Sequence, residues 1–140
     1  MMAIAIELSR RNVNNDTGGP FGCAIFEYDT TTKESKLFSI GVNRVVPSNN
    51  STLHGEMVAI AFAEKKLKKF SLQGSKEKEY HMYTSCEPCA MCLGGTLWSG
   101  VSKMVCSATK DDAEAIGFDE GAYAYGLKIY YGFFPLPSKI

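Results

Sequence analysis

Two short motifs constrain this chain more than any other feature of its sequence. The first is His54-Gly55-Glu56, and the second is Pro88-Cys89-Ala90-Met91-Cys92. One imidazole and two thiolates give a zinc ion three ligands and leave its fourth position open for water. A structural zinc site is closed by four protein ligands, so an open site with a carboxylate close to a ligand predicts a catalytic metal centre.

The spacing of His54 and Glu56 restricts where they can lie in a helix. Only Gly55 separates them, and side chains at this spacing point in nearly opposite directions inside a helix. They converge only if His54 lies at the start of the helix, and the polar segment at residues 48–52 is consistent with such a start. We predict that Glu56 is a proton shuttle. The alternative is a glutamate that only stabilises the helix N-terminus.

The cysteine pattern indicates metal binding by reduced thiols rather than a disulfide framework. Five cysteines are present, and three of them cluster at Cys86, Cys89 and Cys92. Cys89 and Cys92 are predicted to share one face of a helix and, with His54, to ligate Zn²⁺. Cys86 precedes that helix and is predicted to pack behind the site as a non-ligand. The alternative, Cys86 as a fourth ligand, would make the site structural.

The remaining cysteines and the second histidine carry structural predictions. Cys23 and Cys106 fall in apolar strand patterns and are predicted to be buried thiols. His81 lies in a short strand without ligand-type neighbours, so we predict a structural histidine there.

Charge and hydropathy exclude several classes of partner. Fifteen basic and fifteen acidic side chains give a formal net charge of zero, which disfavours nucleic-acid binding. The basic run at residues 65–69 is predicted to be a solvated helix end. No stretch reaches the roughly 18–20 apolar residues of a membrane span, and no signal-peptide pattern is found. We therefore expect a cytoplasmic protein.

Alternating helix and strand patterns predict one α/β domain over residues 1–140, a length that supports a sizeable core. Helices are predicted at residues 2–13, 55–70 and 88–98, with a helical turn or two at 111–117. Strands are predicted at residues 21–28, 36–43, 80–84, 103–108 and 128–134. Residues 45–53 are expected to form a loop, and Pro88 is expected at the first position of its helix.

Several segments together resemble the cytidine-deaminase-like superfamily and, within it, the bacterial guanine deaminases. An H-x-E motif followed by P-C-x-x-C is the signature of zinc nucleobase deaminases. The resemblance extends from the first loop to residue 120. It is carried by Gly18-Gly19-Pro20-Phe21-Gly22, Asn43, Leu53-His54-Gly55-Glu56, Tyr83-Thr84-Ser85-Cys86-Glu87-Pro88-Cys89-Ala90-Met91-Cys92-Leu93-Gly94, Trp98 and Asp111-Asp112-Ala113-Glu114-Ala115-Ile116-Gly117-Phe118-Asp119-Glu120. The last four residues of that set are the narrower motif, and they indicate guanine or guanosine.

The resemblance implies a three-layer α/β/α sandwich with a five-stranded mixed sheet, one zinc ion per chain and a homodimer. It also implies that Phe21 stacks on the base, that Asn43 hydrogen-bonds the edge of the base, and that Glu120 accepts hydrogen bonds from its N–H groups.

We therefore predict a zinc-dependent hydrolytic deaminase that converts a small purine, guanine, to xanthine and ammonia. Alternatives with the same chemistry are guanosine, a cytosine- or cytidine-type compound and tRNA adenosine. The glycine after His54 also occurs in cytosine deaminases, whereas the neutral charge disfavours tRNA. A different class is a zinc-stabilised binding module without catalysis, in which Glu56 would be dispensable.

Overall fold

Helices and strands alternate through residues 1–118, the part of the chain that the computed structural model describes. In chain order they are α1 (Met2–Asn14), β1 (Gly22–Asp29), β2 (Ser35–Val42), α2 (Val45–Ser48), α3 (Gly55–Leu67), β3 (Lys78–Cys86), α4 (Ala90–Ser99), β4 (Lys103–Ala108) and α5 (Lys110–Ala115). The described strands form one sheet in the order β2-β1-β3-β4. Strand β1 is antiparallel to β2 and β3, whereas β3 and β4 are parallel. The α/β class with a mixed sheet is confirmed, and the strand predicted at residues 128–134 lies outside the described residues.

Helices cover both faces of this sheet. Neighbouring residues of a strand point to opposite faces, and β1 shows this directly. Gly22 lies against the backbone of α1, whereas Cys23 belongs to the core cluster that α3 covers. Helix α4 lies on the same side as α3, where the Thr96 hydroxyl oxygen is 3.7 Å from the sulfur of the core residue Met82. The described elements therefore form three layers, with α1 on one face and α3 and α4 on the other.

A glycine in β2 determines how closely α3 approaches the sheet. A Cβ atom at Gly41 would collide with the carbonyl oxygen of Gly55 and the backbone nitrogen of Ala59. Close by, the Ser39 hydroxyl donates a 2.8 Å hydrogen bond to the carbonyl oxygen of Ala59. The N-terminal end of α3, which carries the first of the two motifs, is thereby fixed directly over the strand.

Two predictions about local structure were wrong. The segment expected to be a loop at residues 45–53 contains α2, which ends where Asn49 adopts the left-handed conformation that asparagine tolerates (φ 48°). The helix expected to begin at Pro88 begins at Ala90, because Cys89 keeps an extended backbone (φ −66°, ψ 170°). Cys89 therefore caps α4 instead of lying within it.

The end of α3 agrees with its prediction, whereas a cysteine in the outer strand of the described sheet does not. Helix α3 ends at Leu67 because Lys68 is left-handed (φ 56°), and exposed lysines occupy its last turn, as expected for a solvated helix end. Cys23 is fully buried as predicted, but Cys106 is exposed, so its prediction was wrong. Cys106 lies on β4, which has a neighbour on only one side among the described strands and so receives less cover.

His81 has the structural surroundings that its position in a strand suggested. It is buried, its ring stacks on Tyr28 with centroids 4.7 Å apart, and its Nε2 atom is 2.8 Å from a carboxylate oxygen of Glu79. Within residues 1–118, no helix has the length and apolar character that crossing a membrane requires.

Candidate active site

The N-termini of two helices meet beside the end of β3 and bring the predicted metal ligands together. His54 immediately precedes α3 and keeps an extended backbone (φ −70°, ψ 158°), which lets it turn toward the same side as Glu56. Cys89 has the equivalent position before α4. The ligand atoms of His54, Cys89 and Cys92 all lie within 4.8 Å of one another. The positive ends of both helix dipoles point toward this cluster and favour thiolates there.

The spacing of these atoms suits a zinc ion. The His54 Nδ1 atom is 3.6 Å from the Cys89 Sγ atom, and the backbone N–H of Cys92 donates to the same sulfur at 3.5 Å. A tetrahedral zinc ion with ligand bonds of about 2.0–2.3 Å holds its donor atoms roughly 3.5 Å apart. Two sulfurs and one imidazole nitrogen therefore match zinc in chemical type, and the His54–Cys89 pair also matches it in separation.

Without a cation, the surroundings of Cys92 favour its protonated thiol over the thiolate. Burial raises the pKa of the Cys92 thiol far above its ordinary value, and the neighbouring charge of Glu56 raises it further. In this state its Sγ atom donates to the Glu56 Oε2 atom at 3.4 Å. A coordinating metal deprotonates a thiol outright, so zinc binding at this position must release a proton.

Glu56 is buried beside the cluster, with only 6% of its surface exposed. Its Oε1 atom accepts a 3.1 Å hydrogen bond from the Thr84 hydroxyl, and its Oε2 atom lies on the side of Cys92. The carboxylate is thus held between a strand residue and a predicted metal ligand. Thr84 had no predicted role. The feature that could have identified it in the sequence is its hydroxyl, which lies on the strand face that also carries Tyr80, Met82 and Cys86.

A cavity of about 550 Å³ opens next to the cluster. It is lined by His54, Glu56 and Cys89, and also by Phe21 and Asn43, the residues predicted to stack on and hydrogen-bond a base. The structure therefore brings these predicted site residues to a single cavity.

Contacts with backbone groups orient Asn43 toward this cavity. Its own N–H donates to the carbonyl oxygen of Phe21 at 2.9 Å, and its side-chain oxygen accepts from the Val45 N–H at 3.2 Å. The buried side chain of Asn12 donates to the Asn43 carbonyl oxygen at 2.8 Å. Gly18 permits this packing, since a Cβ atom there would collide with that oxygen. Within residues 1–118, no hydrogen bond occupies the side-chain NH₂ of Asn43, so it is available to a ligand.

One wall of the cavity had no predicted role. The ring of Phe118 packs edge-on against Phe21, with centroids 5.1 Å apart and an interplanar angle of 88°. Phe118 follows α5, whose first backbone N–H, that of Lys110, donates to a carboxylate oxygen of Glu87 at 3.0 Å. Glu87 lies between the second motif's cysteines and Cys86, so the aromatic wall is attached to the metal-binding segment.

Cys86 lies apart from the ligand cluster. Cys86 is buried, and its sulfur contacts the carbonyl oxygen of Thr109 at 3.5 Å. Among the described residues, the group with metal-ligand spacing consists of a histidine and two cysteines without Cys86, which leaves an open fourth position. Glu120, predicted to accept hydrogen bonds from the base, lies outside the described residues.

The chain is similar in sequence and in structure to known proteins. Residues 1–108 match the family model of the cytidine and deoxycytidylate deaminase zinc-binding region. The guanine deaminase of Bacillus subtilis is 37% identical over 116 residues, which are 83% of this chain and 67% of that protein. The solved guanine deaminase of Nitrosomonas europaea is 43% identical, with a TM-score of 0.76, over 86% of this chain and 64% of that one. A solved complex with 2,6-diaminopurine has the same identity and TM-score, over 86% of this chain and 61% of that one. This chain therefore spans a little under two thirds of the length of these solved relatives.

Proposed function

Because the chain belongs to the cytidine and deoxycytidylate deaminase zinc-binding family and has Zn²⁺ as its cofactor, we propose that it hydrolytically deaminates guanine to xanthine and ammonia. The observation that carries this proposal is one cavity lined by predicted metal ligands, a buried carboxylate, an aromatic ring and a side-chain amide. The similarity to two guanine deaminases and to a complex with a diaminopurine supports a purine as the substrate. We propose one catalytic domain for the whole of residues 1–140.

The chemistry divides between the cofactor and the protein. Zinc would be held by His54, Cys89 and Cys92, and it would supply a Lewis acid that lowers the pKa of water to about 7. Glu56 accepts a proton from the attacking water and delivers it to a ring nitrogen of the purine. It then takes the proton of the hydroxyl group that the water has left on the carbon and carries it to the amino group as the C–N bond breaks, so that ammonia leaves and a carbonyl remains. Burial of Glu56 limits its contact with bulk solvent.

Three residues are proposed to recognise the base. The Phe21 ring provides a stacking surface, and the Asn43 NH₂ group donates hydrogen bonds to purine acceptors. Glu120 is proposed to accept from the N–H groups of guanine. A site built to pair with these groups discriminates strongly, because the wrong base leaves buried polar atoms unpaired.

A substrate panel tests the proposed function. We expect the zinc-loaded protein to release ammonia from guanine with a kcat/KM at least ~100-fold above that for cytosine. The assay compares guanine, guanosine and cytosine, and a Glu56→Gln sample serves as the blank for contaminating activity. Ammonia from cytosine, but not from guanine or guanosine, would overturn the substrate assignment and leave the zinc chemistry standing. Release from none of them would favour a binding module.

We also propose a homodimer formed through the outer face of α4. Leu93, Leu97 and Trp98 are 47%, 74% and 90% exposed on that helix, and clustered exposed apolar side chains are typical of interfaces. We expect Leu97→Lys to convert a dimer to a monomer in analytical ultracentrifugation. Phe70→Lys is the matched control. Phe70 is an apolar residue that is 90% exposed, as Trp98 is, but it lies beyond α3 and away from this helix face. A monomeric parent, or a dimer unaffected by Leu97→Lys, would contradict this interface.

The proposed partner and location follow from charge and thiol chemistry. A net charge of zero supports a small-molecule substrate rather than a nucleic acid. We propose the cytoplasm as the location, because its reducing conditions keep Cys89 and Cys92 available as ligands.

A further inference from the structure

Thr84 occupies a buried position in the sheet beside the candidate active site. It lies in β3, between two neighbouring strands, where it pairs with Cys23 of β1 and Cys106 of β4. Only 1% of Thr84 is exposed, and a threonine side chain has few χ1 rotamers. Its hydroxyl is therefore held in place from both sides of the strand and points to a single acceptor, the Oε1 atom of Glu56 at 3.1 Å.

We infer that Thr84 is a positioning residue that holds one oxygen of Glu56 so that the other is available for proton transfer. This inference rests on the proposed function, because it takes Glu56 to be the proton shuttle. The two carboxylate oxygens have different surroundings: Oε1 accepts from Thr84, whereas Oε2 lies 3.4 Å from the sulfur of Cys92, a zinc ligand. The asymmetry assigns Oε1 to orientation and Oε2 to the reaction.

The Thr84 hydroxyl makes the shorter of two side-chain contacts that hold the Glu56 carboxylate. Among the described residues, the side chains that donate to this carboxylate are Thr84, at 3.1 Å, and Cys92, at 3.4 Å. The Cys92 sulfur belongs to the ligand cluster, so it would be engaged with the metal. Loss of the Thr84 hydroxyl would then leave the buried Oε1 atom without its donor and the carboxylate free to rotate. Residues that orient a reacting group must hold it within about 0.5 Å for efficient catalysis.

The experiment compares Thr84→Val, which keeps the shape but removes the hydroxyl, with Thr84→Ser, which keeps the hydroxyl. We expect Thr84→Val to lower kcat for guanine by about 10- to 100-fold, as typical for loss of an outer hydrogen-bond partner. We expect KM to stay within about threefold, because substrate binding is not disturbed. Thr84→Ser should restore most of kcat. Zinc content and the thermal unfolding temperature are measured for each variant.

The control is Ser99→Ala, which removes another buried hydroxyl at the last residue of α4, where it donates to the Thr96 carbonyl oxygen and does not line the cavity. Crystal structures of the zinc-loaded parent and both Thr84 variants provide a readout independent of activity. We expect the Glu56 carboxylate to be displaced in Thr84→Val and in place in Thr84→Ser. If Thr84→Val does not fold, Thr84→Ala takes its place, since it adds no second methyl group to a buried position.

The inference would be overturned by unchanged kcat in Thr84→Val, by an equal loss in Thr84→Ser, or by loss of zinc that accounts for the fall in rate. An unmoved carboxylate in the zinc-loaded Thr84→Val structure would do the same. If the parent itself releases no ammonia from any base or nucleoside, the proposed function fails, and the carboxylate position still decides the role of Thr84.

Discussion

Substitution of Glu56 by glutamine is expected to retain one zinc ion per chain and to lower turnover of guanine by ~100- to 10,000-fold. The amide has nearly the same shape as the carboxylate, and its oxygen can still accept from Thr84. It has no basic oxygen that can take up and release a proton. Because the shuttle is used for both the ring nitrogen and the leaving amine, the loss should lie at the upper end of this range. Steady-state ammonia release, with zinc measured by elemental analysis, checks both parts.

The control for this variant is Glu64→Gln. Glu64 lies on the same helix, two turns further along, and does not line the cavity, so the same change of chemical group should leave activity intact. Activity of Glu56→Gln within tenfold of the parent would contradict the shuttle role and favour a binding module. Loss of zinc would show that the glutamate supports the metal site instead.

Substitution of Cys92 by serine is expected to abolish zinc retention and, with it, all ammonia release. Zinc loses one of three protein ligands, which should weaken binding by more than the ~10- to 100-fold typical for loss of an outer partner. Although Cys92 is fully buried, the fold should survive, because a serine hydroxyl can still donate to Glu56 as the thiol does. Elemental analysis after dialysis and thermal unfolding with and without added zinc measure the two effects.

Two cysteine variants distinguish an open site from a closed one. Cys86→Ser should keep its zinc, because Cys86 lies outside the ligand cluster and contacts Thr109 instead. Cys106→Ser should also keep it, because that residue is exposed on β4. Zinc loss in Cys86→Ser would indicate a fourth protein ligand and a structural site. Full zinc retention in Cys92→Ser would show that the metal is held elsewhere.

The sequence alone was sufficient where the chemistry depends on residues close together in the chain. Side chains at the spacing of His54 and Glu56 diverge inside a helix, so their convergence required His54 to precede it, and the structure has His54 extended before α3. The type of metal followed from the donor atoms themselves, since an imidazole with two thiolates suits zinc whatever the surrounding fold.

Local patterns were insufficient at the start of α4, where two tendencies compete. Proline favours the first position of a helix, which predicted a start at Pro88. The sulfur of Cys89 instead accepts from the backbone N–H of Cys92, and this cap moves the start of the helix to Ala90. Both helix starts thereby present a ligand from an extended residue, an arrangement that propensity does not reveal.

Tertiary structure alone decided the features that join distant parts of the chain. The burial of a strand cysteine depends on its neighbours in the sheet, so Cys23 is buried and Cys106 exposed despite similar sequence patterns. The edge-on packing of Phe118 against Phe21 joins the first loop to the end of α5. The hydrogen bond from Thr84 to Glu56 joins β3 to α3 over 28 residues of sequence. The types of the reacting groups are properties of single residues, but their orientation is a property of contacts between residues that only the folded chain brings together.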